Sequence, residues 1–325
     1  MEIPDGLAWM RGHPDAGAWL DDLPQLVERA TEHWGLTVGE PYGGSSVSWV
    51  ASARWGDEDV VLKVPWPHRE CVHEAAALVA WAGDGAVALL AHAPDVPALL
   101  LERCDPGDRL ADRPDVDAVA VMVELLPRLW SPPTEPFESL ADEAERWRSA
   151  LWTDWAAAGE PCERRLVEAA EAALQELPST QGPAVLLHQD LHADNVLSSA
   201  REPWLAIDPK PLLGERELAV APIVRDFTLG TGRTAVLRRL DQLTAELGRR
   251  AMMCTGYLPT TATSEWTTYE TIGGMQPTLE GLIYRPGMFV DAIESGRWLV
   301  IDEMNRSNFD RAFGQLFTVL SGSAV

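Results

Sequence analysis

Apolar positions in the first third of the chain recur first at helical spacing and then in short runs typical of strands. A helical period over residues 22–34, behind Asp22 and Pro24, predicts a helix. The apolar runs 47–54 and 60–64 flank a turn at Trp55-Gly56-Asp57 and predict a hairpin. A second helix is predicted over 69–81, where Val72, Ala75, Ala76 and Val79 share one face and Glu74 lies near the middle.

The remaining two thirds alternate between helical periods and short apolar runs. Runs at 87–90 and 98–101 precede a polar segment, 102–107, which has the composition of a linker between lobes. A helical pattern covers 112–178, with a predicted buried stripe at Leu166, Ala170, Leu174 and Leu177. The runs 184–187 and 204–207 each end at polar residues and are predicted as strands that lead into a site, and a last helix is predicted over 234–247.

The charge balance narrows the possible partners. The 325 residues include 26 Lys+Arg against 50 Asp+Glu, a formal net charge of -24. Such a surface repels nucleic-acid phosphates and anionic lipid headgroups and attracts a cationic small molecule. We therefore expect a small-molecule partner, no nucleic acid and no membrane, and the pattern gives no oligomeric state.

Cysteine spacing and hydropathy favour a cytoplasmic location. Cys71, Cys104, Cys162 and Cys254 lie far apart without C-x-x-C spacing, so neither a zinc cluster nor a disulfide framework is expected. No apolar run approaches the ~20 residues that span a bilayer, and the N-terminus lacks the order of a secretion signal.

The strongest chemical pattern is the segment from His188 to Asn195, followed thirteen residues later by Asp208. It has the order of a kinase catalytic loop and its metal-binding aspartate. We expect Asp190 to accept the proton of an acceptor hydroxyl, and Asn195 and Asp208 to offer Mg²⁺ the oxygen ligands it prefers. Acidic loop residues that are merely solvated are the alternative interpretation of this pattern.

An early lysine and a helical glutamate complete the pattern. A kinase of this type needs a strand lysine on the α- and β-phosphates and a glutamate that orients it. Lys63, on the second strand of the hairpin, and Glu74, on the following helix, lie in those places. Because lysine occurs only at Lys63 and Lys210, this coincidence favours a nucleotide site.

From these residues, the segment from about 17 to about 250 resembles the streptomycin 6-kinase and hydroxyurea phosphotransferase branch of the aminoglycoside phosphotransferase family. The matching motifs are Val61-Leu62-Lys63-Val64-Pro65, Leu99-Leu100-Leu101-Glu102-Arg103, Leu187-His188-Gln189-Asp190-Leu191-His192 and Ala206-Ile207-Asp208-Pro209-Lys210-Pro211. The resemblance implies an α+β, protein-kinase-like bilobal fold. Its small N-terminal lobe with a sheet and hinge would cover residues 1–104, and its mainly helical C-terminal lobe residues 105–250.

The resemblance also implies an ATP site between the lobes. The hinge near Glu102 and Cys104 would lie against the adenine, and Gly43, Gly44, Ser45 and Ser46 match the loop that covers the phosphates. A turn without ligand contact is the alternative for that loop. Histidine at position 188 is expected to brace the catalytic loop, whereas the roles of His192, Asp194 and Lys210 stay open.

The last part of the chain departs from this family. Residues 251–325 are expected to form an appended segment. The stretches 281–289 and 296–306 resemble the Walker B region of AAA-type ATPases, closest to the motor of methylation-dependent restriction systems. No G-x-x-x-x-G-K-[ST] loop is present, so we expect no independent ATPase activity and interpret Asp302-Glu303 as an acidic strand end. This segment, with a helix predicted over 309–320, either packs on the kinase part through Trp298, Phe309, Phe313 and Phe317 or hangs loose.

Two functions remain open from the sequence. The first is an ATP- and Mg²⁺-dependent kinase for a hydroxyl of a small cationic molecule, with streptomycin ahead of hydroxyurea. The second is a catalytically silent kinase-like fusion that at most binds nucleotide. A DNA-translocating motor subunit is disfavoured by the missing phosphate loop and by the charge.

Overall fold

The computed structural model describes residues 3–93 and 95–247 and the shorter stretches 257–261, 273–278, 281–288, 290 and 298–302. The chain divides into two compact units, Met1–Leu229 and Gly230–Val325. Among the described residues, no helix combines the length and the apolar composition needed to span a bilayer.

Helices and strands are mixed throughout, so the predicted α+β class is confirmed. The α-helices are α1 (Pro14–Trp34), α2 (Glu74–Trp81), α3 (Ala118–Leu129), α4 (Leu140–Ala157), α5 (Arg164–Glu176), α6 (Ala221–Arg225) and α7 (Arg233–Leu247). The strands are β1 (Leu36–Pro41), β2 (Ser48–Trp55), β3 (Glu58–Pro65), β4 (Leu89–Ala93), β5 (Val96–Glu102), β6 (Pro106–Arg109), β7 (Ala184–Leu187), β8 (Val196–Ser199), β9 (Trp204–Ala206), β10 (Leu212–Glu215), β11 (Tyr257–Thr261), β12 (Gly273–Thr278), β13 (Gly281–Pro286) and β14 (Trp298–Asp302).

The first unit begins with a five-stranded antiparallel sheet in the order β1-β2-β3-β5-β4. The predicted hairpin is confirmed, because Ser48 pairs with Pro65 and the register holds to Trp55 opposite Glu58. Alternate residues of β2 and β3 point into an apolar core against α1. Lys63 is paired with Leu99 of β5, so its backbone is fixed in the middle of the sheet.

Helix α1 begins eight residues before the predicted start at position 22. The Nδ1 atom of His13 accepts a hydrogen bond from the backbone N–H of Ala16, 3.3 Å away, and caps the helix. Pro24 lies inside the helix rather than at its first turn. Trp19, Leu20 and Leu23 are buried in the core against the sheet. This packing favours a helix that begins before the predicted start at residue 22.

Helix α2 is shorter than predicted and turns a different face inward. Residues Arg69–Cys71 form a 3-10 turn, and Glu74 is the first α-helical residue rather than a central one. The predicted apolar face is wrong, since Val72 and Val79 are 62% and 65% exposed. The buried face carries Glu74 together with Ala77, Leu78 and Trp81, because the ion pair of Glu74 must face the sheet.

The second half of this unit is mainly helical and also contains strands of two small sheets. The three-stranded sheet has the order β6-β8-β9, and β7 pairs with β10. The predicted buried stripe on α5 is wrong, since Leu166 and Leu177 are exposed and Val167 is the buried residue. The strands predicted at 184–187 and 204–207 are confirmed as β7 and β9, though in different sheets.

The second unit contains α7, the parallel pair β11 and β14, and the antiparallel pair β12 and β13. The apolar run before Asp302 is confirmed as strand β14. Glu303 and the helix predicted over 309–320 lie outside the described residues. The predicted division at 104 and 250 into two lobes and a tail stays a prediction.

A short N-terminal segment packs against the glycine-serine loop that joins β1 to β2. It is the 3-10 helix Asp5–Gly12, whose Leu7 and Met10 are fully buried in the core. The indole N–H of Trp9 donates to the carbonyl of Ser46 over 2.8 Å. A Cβ atom at Gly6 would lie 2.4 Å from the carbonyl oxygen of Ser45. The backbone of this segment and that of the loop are therefore in direct contact.

We expect Gly6→Ala to lower the free energy of unfolding by about 1–3 kcal/mol, because the new methyl group has to displace backbone rather than a flexible side chain. Gly12→Ala is the matched control, since nothing lies within 4 Å of a Cβ at that position of the same segment. It should change stability by no more than about 0.5 kcal/mol. Urea unfolding of both variants measures the difference, and equal midpoints would contradict the close contact.

Candidate functional site

The ammonium of Lys63 joins three separate parts of the first unit. Its Nζ atom lies 2.6 Å from Oε1 of Glu74, at the start of α2, and 2.5 Å from Oδ1 of Asp208, two residues after β9. The side chains of Lys63 and Glu74 are only 5% and 2% exposed. The structure thus brings together three of the predicted site residues over sequence separations of up to 145 positions.

The charges of this trio depend on one another. Burial alone would lower the pKa of Lys63, but the carboxylates of Asp208 and Glu74 raise it above its ordinary value. Burial tends to raise the pKa of Asp208, yet the nearby Lys63 ammonium brings it below its ordinary value. Burial raises the pKa of Glu74 to about 7, against the opposing effect of Lys63. Lys63 and Asp208 are therefore the firmly charged members.

The predicted catalytic loop follows β7, and hydrogen bonds within the loop join Asn195 to Asp190. The amide Nδ2 of Asn195 donates to the backbone oxygen of Asp190 over 3.0 Å and to its Oδ2 over 3.3 Å. Asn195 ends a short 3-10 turn, Ala193–Asn195, and is almost fully buried. Since its Nδ2 faces Asp190, the amide oxygen of Asn195 is directed away from the carboxylate and remains suited to a cation.

Backbone hydrogen bonds tie this loop to the segment that carries Asp208. The N–H of Ile207 donates to the carbonyl of Asn195 over 2.9 Å, and the N–H of Lys210 donates to the carbonyl of His188 over 3.0 Å. Because these bonds flank Asp208 on both sides, its position relative to the loop is set by the main chain.

His188 braces the loop as predicted. Its Nδ1 accepts from the N–H of Asp190 over 3.3 Å, so Nε2 carries the proton and donates to the carbonyl of Ile207 over 3.0 Å. The ring is 2% exposed and stacks on Trp81, with centroids 5.8 Å apart. Burial lowers the pKa of His188 to about 4, so the imidazole is neutral at pH 7.

Two residues of the site adopt left-handed backbone conformations. Gln189 has φ of 60° and Asp208 has φ of 58°. Non-glycine residues are rarely found there, although aspartate tolerates it better than most. Such outliers persist where the surrounding structure holds them, and they cluster at functional sites.

The donor set fits a magnesium ion bound together with phosphate. Asn195 and Asp208 provide one amide and one carboxylate oxygen, and the paired lysine keeps Asp208 ionised. Within the described part of the chain, no group of three or more His, Cys, Asp or Glu side chains forms a self-sufficient metal site. Mg²⁺ is commonly held by one or two protein oxygens plus phosphates and water, which matches this arrangement.

Of the residues whose roles stayed open, Lys210 and His192 lie near Asp190, whereas Asp194 does not. Lys210 Nζ lies 3.2 Å from Oδ2 of Asp190 and 3.4 Å from Oε2 of Glu70. His192 Nε2 is 3.8 Å from the same Asp190 oxygen, whereas Asp194 pairs with Arg109 at 3.1 Å. Lys210 is thus in contact with the predicted base, and Asp194 faces away toward β6.

The predicted phosphate-covering loop is exposed at its tip. Gly43, Gly44 and Ser46 are exposed, and Cβ atoms built on the two glycines would meet no heavy atom within 4 Å. Ser45 is half-buried, and its Oγ accepts from the N–H of Ser48 over 3.2 Å. The tip of the loop therefore has room for a ligand beside its backbone.

The predicted hinge residues Glu102 and Cys104 are partly buried by neighbouring groups, and their contact with the adenine stays a prediction. Both carboxylate oxygens of Glu102 pair with the guanidinium of Arg201, at 2.8 and 2.9 Å, and one also accepts from the N–H of Ala88 over 2.9 Å. The side chain of Glu102 therefore holds the fold, and only its main chain could contact a base. Cys104 is half-buried, and burial raises the pKa of its thiol to about 12.

Sequence reasoning missed two supporting residues. Asp226 is 4% exposed, and its side chain accepts a hydrogen bond from the N–H of Ala193 over 2.8 Å. This bond holds the predicted catalytic loop in place. Arg201 donates to the carbonyls of Gly83 and Ala86 in addition to Glu102. Neither residue lies in a recognisable motif, and only the folded contacts reveal them.

Comparison with known proteins gives two family matches. The sequence model of one family, described as "Aminoglycoside/hydroxyurea antibiotic resistance kinase", matches residues 33–253. A second, described as "AAA domain (dynein-related subfamily)", matches residues 228–324. Both resemblances inferred from the sequence motifs are confirmed.

Individual relatives agree with the first match. Streptomycin 6-kinase of Streptomyces griseus is 36% identical over 258 residues, which cover 76% of this chain and 84% of that protein. Hydroxyurea phosphotransferase of Kitasatospora aureofaciens is 36% identical over 257 residues, covering 76% and 74%. Among solved structures, choline kinase LicA from Streptococcus pneumoniae has a TM-score of 0.48 and 12% identity, and 67% of this chain and 79% of that one are covered.

Neutral His188 should make stability depend on pH. Below pH ~6.5 the unfolded chain binds a proton at this histidine that the folded protein binds only near pH 4, so acidification favours unfolding. Between pH 7.5 and 5.0 we expect the wild type to lose roughly 2 kcal/mol more than His188→Gln. Urea titrations of both proteins at the two pH values measure this difference.

Comparing the two proteins removes the contribution of Glu74. The raised pKa of Glu74 makes acidification favour folding, since the folded protein holds that proton up to about pH 7. Because Glu74 is present in both proteins, its contribution cancels in the difference. Parallel pH dependences of the wild type and His188→Gln would contradict the lowered pKa of His188.

Proposed function

Because this chain belongs to the aminoglycoside/hydroxyurea antibiotic resistance kinase family, we propose that it transfers the terminal phosphoryl group of ATP to a hydroxyl of a small antibiotic. The observation that carries the proposal is the shared ammonium of Lys63, which lies 2.6 Å from Oε1 of Glu74 and 2.5 Å from Oδ1 of Asp208. Streptomycin is the first candidate acceptor.

The choice of streptomycin rests on relatives and on charge. Streptomycin 6-kinases of two Streptomyces species and a hydroxyurea phosphotransferase are each 36% identical to this chain. Identity therefore does not separate the two substrates. The formal charge of -24 favours an approaching cation over neutral hydroxyurea, since a strongly charged surface raises the local concentration of oppositely charged ligands.

Asp190 is proposed as the proton acceptor. The acceptor oxygen forms a bond to the γ-phosphorus while the bond from that phosphorus to the β,γ-bridging oxygen breaks and ADP leaves with the electron pair. The hydroxyl proton passes to the Asp190 carboxylate. Asn195 and Lys210 both contact Oδ2 of this carboxylate, so Oδ1 is the oxygen proposed to face the acceptor.

Nucleotide and metal would be held by the remaining predicted residues. Lys63, oriented by Glu74, is proposed to bind the α- and β-phosphates, and the backbone of residues 43–46 to cover them. Asn195 and Asp208 are proposed to hold Mg²⁺, which when bound neutralises phosphate charge. The main chain between Glu102 and Cys104 is proposed to contact the adenine.

The C-terminal segment is proposed to take no part in phosphoryl transfer. Residues 228–324 match an AAA domain, but the sequence lacks the phosphate loop that such a domain uses. The AAA match begins at residue 228, inside the kinase match, which ends at residue 253. The end of the kinase part is therefore shared with a different family, and this overlap favours a second candidate function. In that case the altered C-terminus leaves a protein that binds nucleotide without transferring phosphate.

The Asp190→Asn substitution should separate binding from chemistry. It keeps the size of the side chain but removes the basic oxygen, so we expect kcat to fall about 10²–10⁴-fold while ADP affinity changes little. ADP release with streptomycin or hydroxyurea, together with the mass of the phosphorylated product, measures turnover, and calorimetry measures ADP binding.

Asp194→Asn is the matched control in the same loop. Asp194 pairs with Arg109 and not with the proposed reacting groups, so kcat should stay within about threefold. Nucleotide binding by the wild type without turnover of either acceptor would select the second candidate function. Equal losses in both variants would argue against Asp190 as the base.

A further inference from the structure

Lys210 is held rigidly at the edge of the candidate site. It lies between Pro209 and Pro211, whose rings fix their own φ angles and restrict the residue before each of them. Its backbone N–H donates to the carbonyl of His188 over 3.0 Å. The main chain at Lys210 is therefore attached to the catalytic loop, and the direction in which its side chain leaves is fixed.

The charge of Lys210 is directed at the predicted base. Its Nζ lies 3.2 Å from Oδ2 of Asp190 and 3.4 Å from Oε2 of Glu70, and its side chain is 35% exposed. Lys63 is by contrast 5% exposed and already shared between two carboxylates. Both lysines of the chain thus face one site, but only Lys210 combines contact with the base and access to solvent.

Distances around the base place Lys210 close to the reacting atoms. An acceptor oxygen must come within about 2.6–3.2 Å of Asp190 to lose its proton, and within about 3–3.5 Å of the phosphorus to attack it. The oxygens of the transferring group then lie roughly 6 Å from Asp190, within reach of an ammonium that already contacts this carboxylate. A small rotation of the flexible lysine side chain suffices.

Electrostatics favour such a contact in the transition state. Charge on the oxygens of the transferring group is stabilised by cations fixed beside it, and such stabilisation is often the largest contribution to catalysis. Asn195 and Glu74 carry no positive charge, and Lys63 is paired deep in the cleft. Among the residues that the structure describes, Lys210 provides a cation in direct contact with the proposed base, Asp190.

Building on the proposed kinase function, we propose that Lys210 is a second catalytic lysine that binds the oxygens of the phosphoryl group during its transfer. In the structure its ammonium is held by Asp190 and Glu70. During transfer it moves to the phosphoryl oxygens and stays beside Asp190, which receives the proton.

Kinetics of two substitutions test this role. Lys210→Ala should lower kcat by about 100-fold or more, with KM for ATP changed by no more than about threefold, because the contact forms mainly in the transition state. Lys210→Arg keeps the charge and should recover kcat to within about tenfold of the wild type. A merely structural role would instead lower the melting temperature of both variants and leave kcat of the folded protein unchanged.

Glu70→Gln provides the comparison for charge neutralisation. If Lys210 served only to neutralise the charge of Glu70, neither residue would act in the reaction. Both Lys210→Ala and Glu70→Gln would then keep kcat. We expect Glu70→Gln to keep kcat within about threefold while Lys210→Ala loses it.

The outcomes separate this inference from the proposed function. Wild-type turnover with an equally active Lys210→Ala variant would overturn the inference and leave the kinase function standing. A wild type that turns over no acceptor would overturn the proposed function and this role with it. Wild-type turnover, loss of kcat in Lys210→Ala and recovery in Lys210→Arg would support both.

Discussion

A single buried cation organises the first unit. The ammonium of Lys63 would be unstable in an apolar sheet without partners, because a buried charge must be paired and hydrogen-bonded. Glu74 and Asp208 supply that pairing from two other segments. The need to pair this charge sets which face of α2 turns inward. It also holds the segment after β9 against Lys63 of the sheet. The same ion pair keeps Asp208 ionised, as the metal ligand proposed above has to be.

The predicted catalytic loop is held by hydrogen bonds to its main chain. His188, uncharged and stacked on Trp81, links the N–H of Asp190 to the carbonyl of Ile207, and Asp226 holds the N–H of Ala193 from the other side. These hydrogen bonds hold the left-handed conformation of Gln189, while the amide of Asn195 and the ammonium of Lys210 contact Oδ2 of Asp190. Support of the loop therefore rests mainly on its peptide groups, which the side chains of His188 and Asp226 contact.

Sequence reasoning succeeded where local chemistry decides the structure. The hairpin at Trp55-Gly56-Asp57 and the trio of Lys63, Glu74 and Asp208 follow from turn residues and motif spacing. It failed where packing decides between similar faces. On α2 the alanine-rich sequence offers two apolar faces, and the ion pair of Glu74 selects the face with Ala77, Leu78 and Trp81 instead of the predicted one. Long-range partners such as Arg201 leave no local signal for these contacts, because its hydrogen bonds to Glu102 and Gly83 span 99 and 118 residues.

The pairing of Glu102 with Arg201 has a consequence for ligand recognition. Since both carboxylate oxygens are engaged by one guanidinium, and one of them by the N–H of Ala88 as well, this side chain has little capacity left to read a base. A purine that docks at this segment meets peptide groups, which every residue type carries. Discrimination among nucleotides then depends on the spacing of the main chain, and the identity of position 102 is constrained by architecture rather than by the ligand.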